Sequence, residues 1–308
     1  KEIKQAAEEY DGHKFTSCVI ACPVKFDAWQ RQATMNAGYL AGFENVELVV
    51  EPSAAAVSYA FKYDPNPDQD HIYVVYDFGG GTFDVSVVKR SGNDFRVIRT
   101  SGNDHLGGKD IDVSVMRYIE RQLTTLGFSV NPKRQLGFKN NCKLAKEMLS
   151  TAPSTDIPLD FCKESTEEII RLVQSTLNFC TNDIMNKTIQ VTLDTLHSCS
   201  PPLEPSDVHS VFLMGGSTRL SCIMDCLLRI FTEEQIKQDP TELCDCAIAY
   251  GAMLISACHQ IQQSSDCWIS YANHRIVPFT ILDICPQSVR IAHGDRTTVV
   301  IPEQTPVG

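Results

Sequence analysis

One stretch restricts this chain more than any other: Tyr76-Asp77-Phe78-Gly79-Gly80-Gly81-Thr82-Phe83-Asp84. An apolar run, Ile72 to Tyr76, enters it, and Phe83, Val85, Val87 and Val88 leave it, so two strands flank a glycine turn. Glycine lets the backbone adopt positive φ and lets another group come close to the main chain. Successive N–H groups in such a turn form a concavity that suits phosphate oxygens. Asp77 and Asp84 cannot bind phosphate directly, but through water they can hold a hydrated Mg²⁺, which prefers hard oxygen ligands. Thr82 offers a hydroxyl to a phosphate or an attacking water. A plain glycine-rich hairpin is the alternative. Against it stand the paired acids, whose repulsion needs a cation or a water shell to offset it. The stretch is not a Walker loop, because no lysine follows the last glycine and a strand comes next instead of a helix.

The bulk properties narrow the partners. A net charge of −11 without a run of Lys and Arg argues against a nucleic-acid surface. No stretch reaches 18 apolar residues, so no membrane span is expected. No leader is visible, although a chain that begins at Lys1 says little about that. The 13 cysteines lie in apolar runs and read as small buried hydrophobes of a reducing compartment. Cys244-Asp245-Cys246 and Cys222 with Cys226 lack a partner pair at zinc spacing, so core packing is the better reading.

The periodicity predicts an acidic helix over Lys1 to Tyr10, a strand from Phe15 to Pro23, and a helix opened by Asp27 and Gln30 as a capping box. Trp29, Ala33, Ala37 and Leu40 form its apolar face. A strand over Val46 to Val50, a small-residue helix over Ala54 to Phe61 and a linker at 64–68 follow. A β-rich block runs from Ile72 to about Arg99. Gly107-Gly108 opens a helix with Ile111, Val115, Ile119 and Leu123 in register. Further helices are expected from Asn131-Pro132 and from Ser165, with one strand, Ile157 to Cys162, between them. Val211 to Met214 is a buried strand that runs into Gly215-Gly216-Ser217-Thr218-Arg219 and a helix with Leu220, Ile223, Leu227 and Phe231 on one face. Strand, glycine pair and helix start favour an anion or a sugar ring, with a plain βα turn as the even alternative. A last helix runs from Glu242 to about His259, and the chain then turns polar and β-like.

Taken in order, the motifs resemble the heat shock protein 70 (DnaK-type) chaperone family. They are VKFDAWQRQAT (24–34), EPSAAAVSY (51–59), DFGGGTFDVS (77–86), HLGGKDID (105–112), FLMGGSTRL (212–220) and AYGA (249–252). The resemblance implies an α/β, actin/hexokinase-like (ribonuclease H-like) ATPase of two lobes, followed by the first strands of a β-sandwich. It divides the chain into the rest of a first lobe (1–66), a second lobe (71–262, its helical subdomain about 107–190), a linker (263–282) and the start of a β substrate-binding domain (283–308). It implies ATP or ADP and Mg²⁺ as ligands, with Asp77, Thr82 and Asp84 catalytic and both aspartates on the metal through water. Nucleotide would lie on Gly79, Gly80, Gly81, Thr82, Gly107, Gly108, Lys143, Lys146, Glu147, Ser150, Gly215, Gly216, Ser217 and Arg219. Pro23, Arg31 and Glu51 match the family's relay between nucleotide and substrate domain. Unfolded polypeptides, J-domain co-chaperones and nucleotide exchange factors are the implied partners, with neither nucleic acid nor membrane, and the cytosol the implied compartment.

The chain departs from the family at several points. The first phosphate loop and the catalytic lysine are expected upstream of Lys1, so the chain alone is expected not to hydrolyse ATP measurably. In the adenosine helix the family's acid is Lys143 and its adenine-facing arginine is Glu147, a loss of stacking on the order of 1–2 kcal/mol. Lys143 and Glu147 can simply pair at i,i+4. Near the ribose an aspartate is replaced by Thr241, and the linker reads Ile276-Val277-Pro278-Phe279-Thr280-Ile281-Leu282. A weakly hydrolysing relative that regulates other chaperones is therefore the alternative function. A small-molecule kinase or an actin-like filament protein fits less well, given the 23/31/51 trio and the β segment after Asp283.

Overall fold

The structure is a computed structural model that describes residues 1–64, 69–163, 168–238, 243–262, 269–271, 274–276, 279–284, 289–293, 296–301 and 306–307. In chain order the elements are α1 (Glu2–Asp11), β1 (Ser17–Cys22), α2 (Ala28–Leu40), β2 (Asn45–Val50), α3 (Glu51–Tyr63), β3 (His71–Phe78), β4 (Phe83–Ser91), β5 (Asp94–Asn103), α4 (Gly108–Leu126), α5 (Gln135–Met148), β6 (Ser154–Pro158), β7 (Ile169–Val173) and α6 (Gln174–His197). Then come β8 (Ser210–Met214), α7 (Ser221–Leu227), β9 (Ile236–Lys237), α8 (Leu243–Gln262), β10 (Ile269–Tyr271), β11 (His274–Ile276), β12 (Thr280–Ile284), β13 (Val289–His293), β14 (Arg296–Ile301) and β15 (Pro306–Val307).

A seven-stranded mixed sheet in the order β15-β12-β5-β4-β3-β8-β9 organises the chain. The meander β3-β4-β5 is antiparallel, while β8 joins β3 in parallel. Both faces of β3 are covered, which explains its unbroken apolar run. Val74, Tyr76 and Phe78 face a core shared with α4, α5, α6 and α7. Tyr73 and Val75 face a second core shared with α3 and α8. There the small residues of α3 admit a close helix contact: a Cβ at Gly251 would lie 1.8 Å from the carbonyl oxygen of Ala54. A separate parallel pair, β1 and β2, carries α2.

Several expectations hold. Asp27 and Gln30 form a reciprocal capping box at 2.8 and 2.9 Å. Asn131 caps the turn that leads into α5. Ile111, Val115, Ile119 and Leu123 line the buried side of α4, and Leu220, Ile223, Leu227 and Phe231 are buried around α7. Others do not hold. The predicted apolar face of α2 is solvent-exposed, with Trp29 and Leu40 each 84% accessible; the helix packs instead through Gly38, whose missing side chain admits Val46 and Ile20. The helix expected from Ser165 is replaced at Ile169–Val173 by β7, which pairs with β6 and lets Ile170 and Leu172 alternate into the core; Ser165 itself lies outside the described residues. The strand expected over 157–162 is shifted to Ser154–Pro158.

The stretch expected to be a linker ends in a strand. Thr280 to Leu282 pair in parallel with Asp94 to Arg96, so β12 extends the central sheet at its β5 edge. Among the described residues, no helix is long and apolar enough to cross a membrane.

Candidate functional site

Gly79 to Thr82 turn the chain between β3 and β4, closed by a 3.0 Å bond from Gly79 N–H to the Thr82 carbonyl. Asp77 and Asp84 face each other across the two strands. The tip is held from two sides. The N–H groups of Gly108 and Lys109, at the start of α4, donate to the carbonyls of Gly79 and Gly80 at 3.0 and 2.8 Å. Ser217 Oγ donates to the Gly79 carbonyl at 3.0 Å. Those bonds use carbonyls of the tip and leave the N–H groups of Gly80 and Gly81 out.

Close approach explains the glycines. A Cβ at Gly107 would stand 2.6 Å from the Gly81 backbone. Gly215 has φ 80° and lies where a Cβ would meet the Phe78 carbonyl at 2.6 Å, so its side-chain-free backbone serves both the bend and the contact. The two glycine bends belong to one sheet. Val211 to Met214 pair directly with Val74 to Asp77, and this brings residues 79 and 217 together.

Two cavities border the hairpin tip. One, of about 620 Å³, is lined by Pro23, Lys25, Phe26, Gln30, Glu51, Asp77, Thr82, Asp84, Ser86, Thr100, Asp104 and Met214. Its acids crowd one another. Burial, then the Asp84 charge, pushes the Asp77 carboxyl up to about 6. Burial, then Asp77 and Asp84, pushes Glu51 up to about 7. Lys25 reaches in with Nζ 3.0 Å from Asp84 Oδ1 and 2.7 Å from Asp104 Oδ1. Lys25 lies within the VKFDAWQRQAT stretch, but nothing local points to this role; its partners are 59 and 79 residues away and only the fold joins them. Pro23 and Glu51 line this cavity. Arg31 does not: it donates to the carbonyls of Phe26 at 3.1 Å and Val24 at 3.2 Å, bracing the loop that carries Lys25.

The other cavity, of about 670 Å³, is lined by Gly80, Gly108, Lys109, Asp112, Lys143, Lys146, Glu147, Ser150, Gly216, Ser217 and Arg219, among others. Several of these side chains already have protein partners. Lys146 is buried against Asp112 at 2.6 Å and donates to the Gly108 carbonyl at 3.3 Å. Lys143 and Glu147 pair at 3.7 Å on the half-exposed face of α5. Ser150 donates to the Glu147 carbonyl, and Arg219 pairs with Asp245. Thr241 lies outside the described residues.

Comparison with known proteins agrees with this arrangement of motifs. The family pattern described as "Hsp70 protein" matches residues 1–308. Among similar curated proteins, the "Chaperone protein DnaK" of Thermosipho melanesiensis is 34% identical over 83% of this chain and 43% of its own length. The "Heat shock cognate HSP70 protein" of Trypanosoma brucei brucei is 30% identical over 99% of this chain and 44% of its own length. A ribosome-associated molecular chaperone of Candida glabrata is 29% identical, covering 99% of this chain and 48% of its own length. The chain thus spans less than half the length of these relatives.

Proposed function

Because this chain belongs to the Hsp70 protein family, we propose that it carries the nucleotide-binding part of an ATP-dependent chaperone, whose full form couples ATP hydrolysis to the binding and release of unfolded polypeptide. In this reading the chain forms most of a two-lobed ATPase followed by the first strands of a substrate-binding β-sandwich. One observation supports it above the rest: the hairpin tip stands between two cavities, with Thr82 and the crowded carboxylates of Glu51, Asp77 and Asp84 lining one, and Gly80 with its Ser217 latch lining the other.

The residues fit a hydrated divalent cation. Glu51 and Asp77 are pushed toward protonation by burial and by neighbouring acids, and a positive charge between them relieves that repulsion. Magnesium, when bound, would neutralise charge on the phosphate oxygens. Asp77 and Asp84 would orient its water shell, and Thr82, exposed at the tip, would donate its hydroxyl to the terminal phosphate. The N–H edge of Gly80 and Gly81 would bind phosphate oxygens. Gly216 and Arg219 would flank the nucleoside in the second cavity. Lys25 would neutralise Asp84 and Asp104 at the mouth of the first. Pro23 and Glu51, beside the acids, would sense the nucleotide, and Arg31 would act on Lys25 through its loop. J-domain proteins and exchange factors would be the partners. The alternative, a non-hydrolysing regulator of other chaperones, draws no support from the relatives, whose names are those of chaperones themselves.

Calorimetric titration with ADP tests the reading. Binding is expected in Mg²⁺, weaker in a chelator, and weaker by at least about tenfold in Asp77→Asn. A wild-type chain that takes up no ADP under either condition would remove the proposal.

A further inference from the structure

At the opposite end of β3 from the glycine tip, three metal-ligating side chains converge from three separate segments. Asp64 caps the C-terminal end of α3, His71 begins β3, and His209 immediately precedes β8. Their ligand atoms all lie within 4.8 Å of one another, and they form the metal-competent cluster among the described residues. His71 Nδ1 is 2.5 Å from Asp64 Oδ2, and His209 Nε2 is 3.8 Å from the same oxygen. The two imidazole rings stack with centroids 3.6 Å apart.

We propose that Asp64, His71 and His209 form a structural site for a divalent transition metal of the zinc class, which clips the end of α3 to the β3–β8 edge of the central sheet. The donor set is two imidazoles and one carboxylate, a set that suits zinc with a fourth position left for water. Ligand atoms around a tetrahedral zinc at about 2.0–2.1 Å stand roughly 3.3 Å apart, between the two separations seen here. Metal entry would replace the His71–Asp64 hydrogen bond, widening its 2.5 Å toward that spacing, and draw the Nε2 of the half-exposed His209 in from 3.8 Å.

The surroundings hold the ligands in place. Tyr73 donates its hydroxyl to Asp64 Oδ2 at 2.5 Å, the outer-sphere support that orients a ligating carboxylate. The guanidinium of Arg90 donates to the backbone carbonyl of Asp64, which anchors the end of α3, and it lies 4.8 and 5.0 Å from the Phe61 and Phe95 ring centres. The His209 backbone N–H donates to the Ile72 carbonyl at 2.7 Å, which fixes the register of the third ligand against β3. The Cys222/Cys226 pair offers no such cluster among the described residues; both thiols are buried in the core around α7, and burial pushes each up to about 11.

Titration of the metal-free chain with Zn²⁺, and with Co²⁺ followed by its visible spectrum, tests the site. One equivalent is expected, with a cobalt spectrum of nitrogen and oxygen ligation and no thiolate charge-transfer band. His209→Gln, at a half-exposed position that should not disturb folding, is expected to lower the affinity by at least about tenfold, and Tyr73→Phe by less. Zinc is also expected to raise the thermal midpoint of the wild type and not of His209→Gln. Failure to bind either metal, a thiolate band, or equal affinity in His209→Gln would each overturn the assignment.

Discussion

The two ends of strand β3 hold acids in opposite predicaments. At one end Asp77 and Glu51 sit among other carboxylates, and burial with mutual repulsion lifts them toward neutrality. At the other end burial also works against Asp64, but hydrogen bonds from Tyr73 and His71 outweigh it and hold the carboxyl below its usual range. His71 and Asp77 share one face of the strand and lie six residues apart, about 20 Å at the usual strand rise. Chain position alone therefore does not decide what a buried carboxylate does. An acid held by hydrogen bonds keeps its charge; an acid crowded by like charges is driven toward losing it.

Three measurements probe this contrast. The largest effect is expected where the glycine end is broken outright. Gly215→Val forces a β-branched residue into a φ of 80° and against the Phe78 carbonyl, and should lower stability by about 3 kcal/mol or more, read by denaturant unfolding. Neutralising each acid should give effects of opposite sign: Asp64→Asn loses charge-assisted bonds and should destabilise by roughly 1–3 kcal/mol, whereas Asp77→Asn relieves repulsion and should stabilise by up to about 1 kcal/mol. Equal losses in both variants would erase the distinction. Smallest is the pH effect. Glu51 and Asp77 hold protons in the folded state that the unfolded chain has already released, so their contribution to stability falls as pH rises through about 6 to 7. Asp64 behaves in reverse, and its contribution is lost only as pH drops below the ordinary carboxylate value of 3.8. In magnesium-free buffer, Glu51→Gln should flatten the decline between about pH 5 and 7.5, a change of about 1 kcal/mol. An unchanged slope would mean that Glu51 does not titrate there.

Much of this was legible in the residues. The glycine tip between β runs, the Asp27–Gln30 box and the 3.6-residue period of α4 are local signals, and each appears in the structure as read. What escaped the sequence was set by distant partners. Trp29 and Leu40 read as a buried face because periodicity reports amphipathicity, not whether anything covers it. Ile169 to Val173 read as helix because their pairing partners in β6 lie 11 to 19 residues upstream, beyond the reach of a local pattern. Lys25 lies inside a family motif and His209 in none of those quoted, yet for both the acids that they meet come from distant parts of the chain.

The contact between Gly251 and Ala54 has a mechanical consequence. Helix α3 begins at Glu51 beside the acids, and α8 begins near Cys244, whose carbonyl accepts from Gly215 N–H at 3.4 Å. With backbone pressed on backbone between them, the pair resists sliding or splaying and acts as a single strut footed at both glycine-lined walls. A side chain at 251 would wedge the two helices apart and disturb both glycine-lined walls at once.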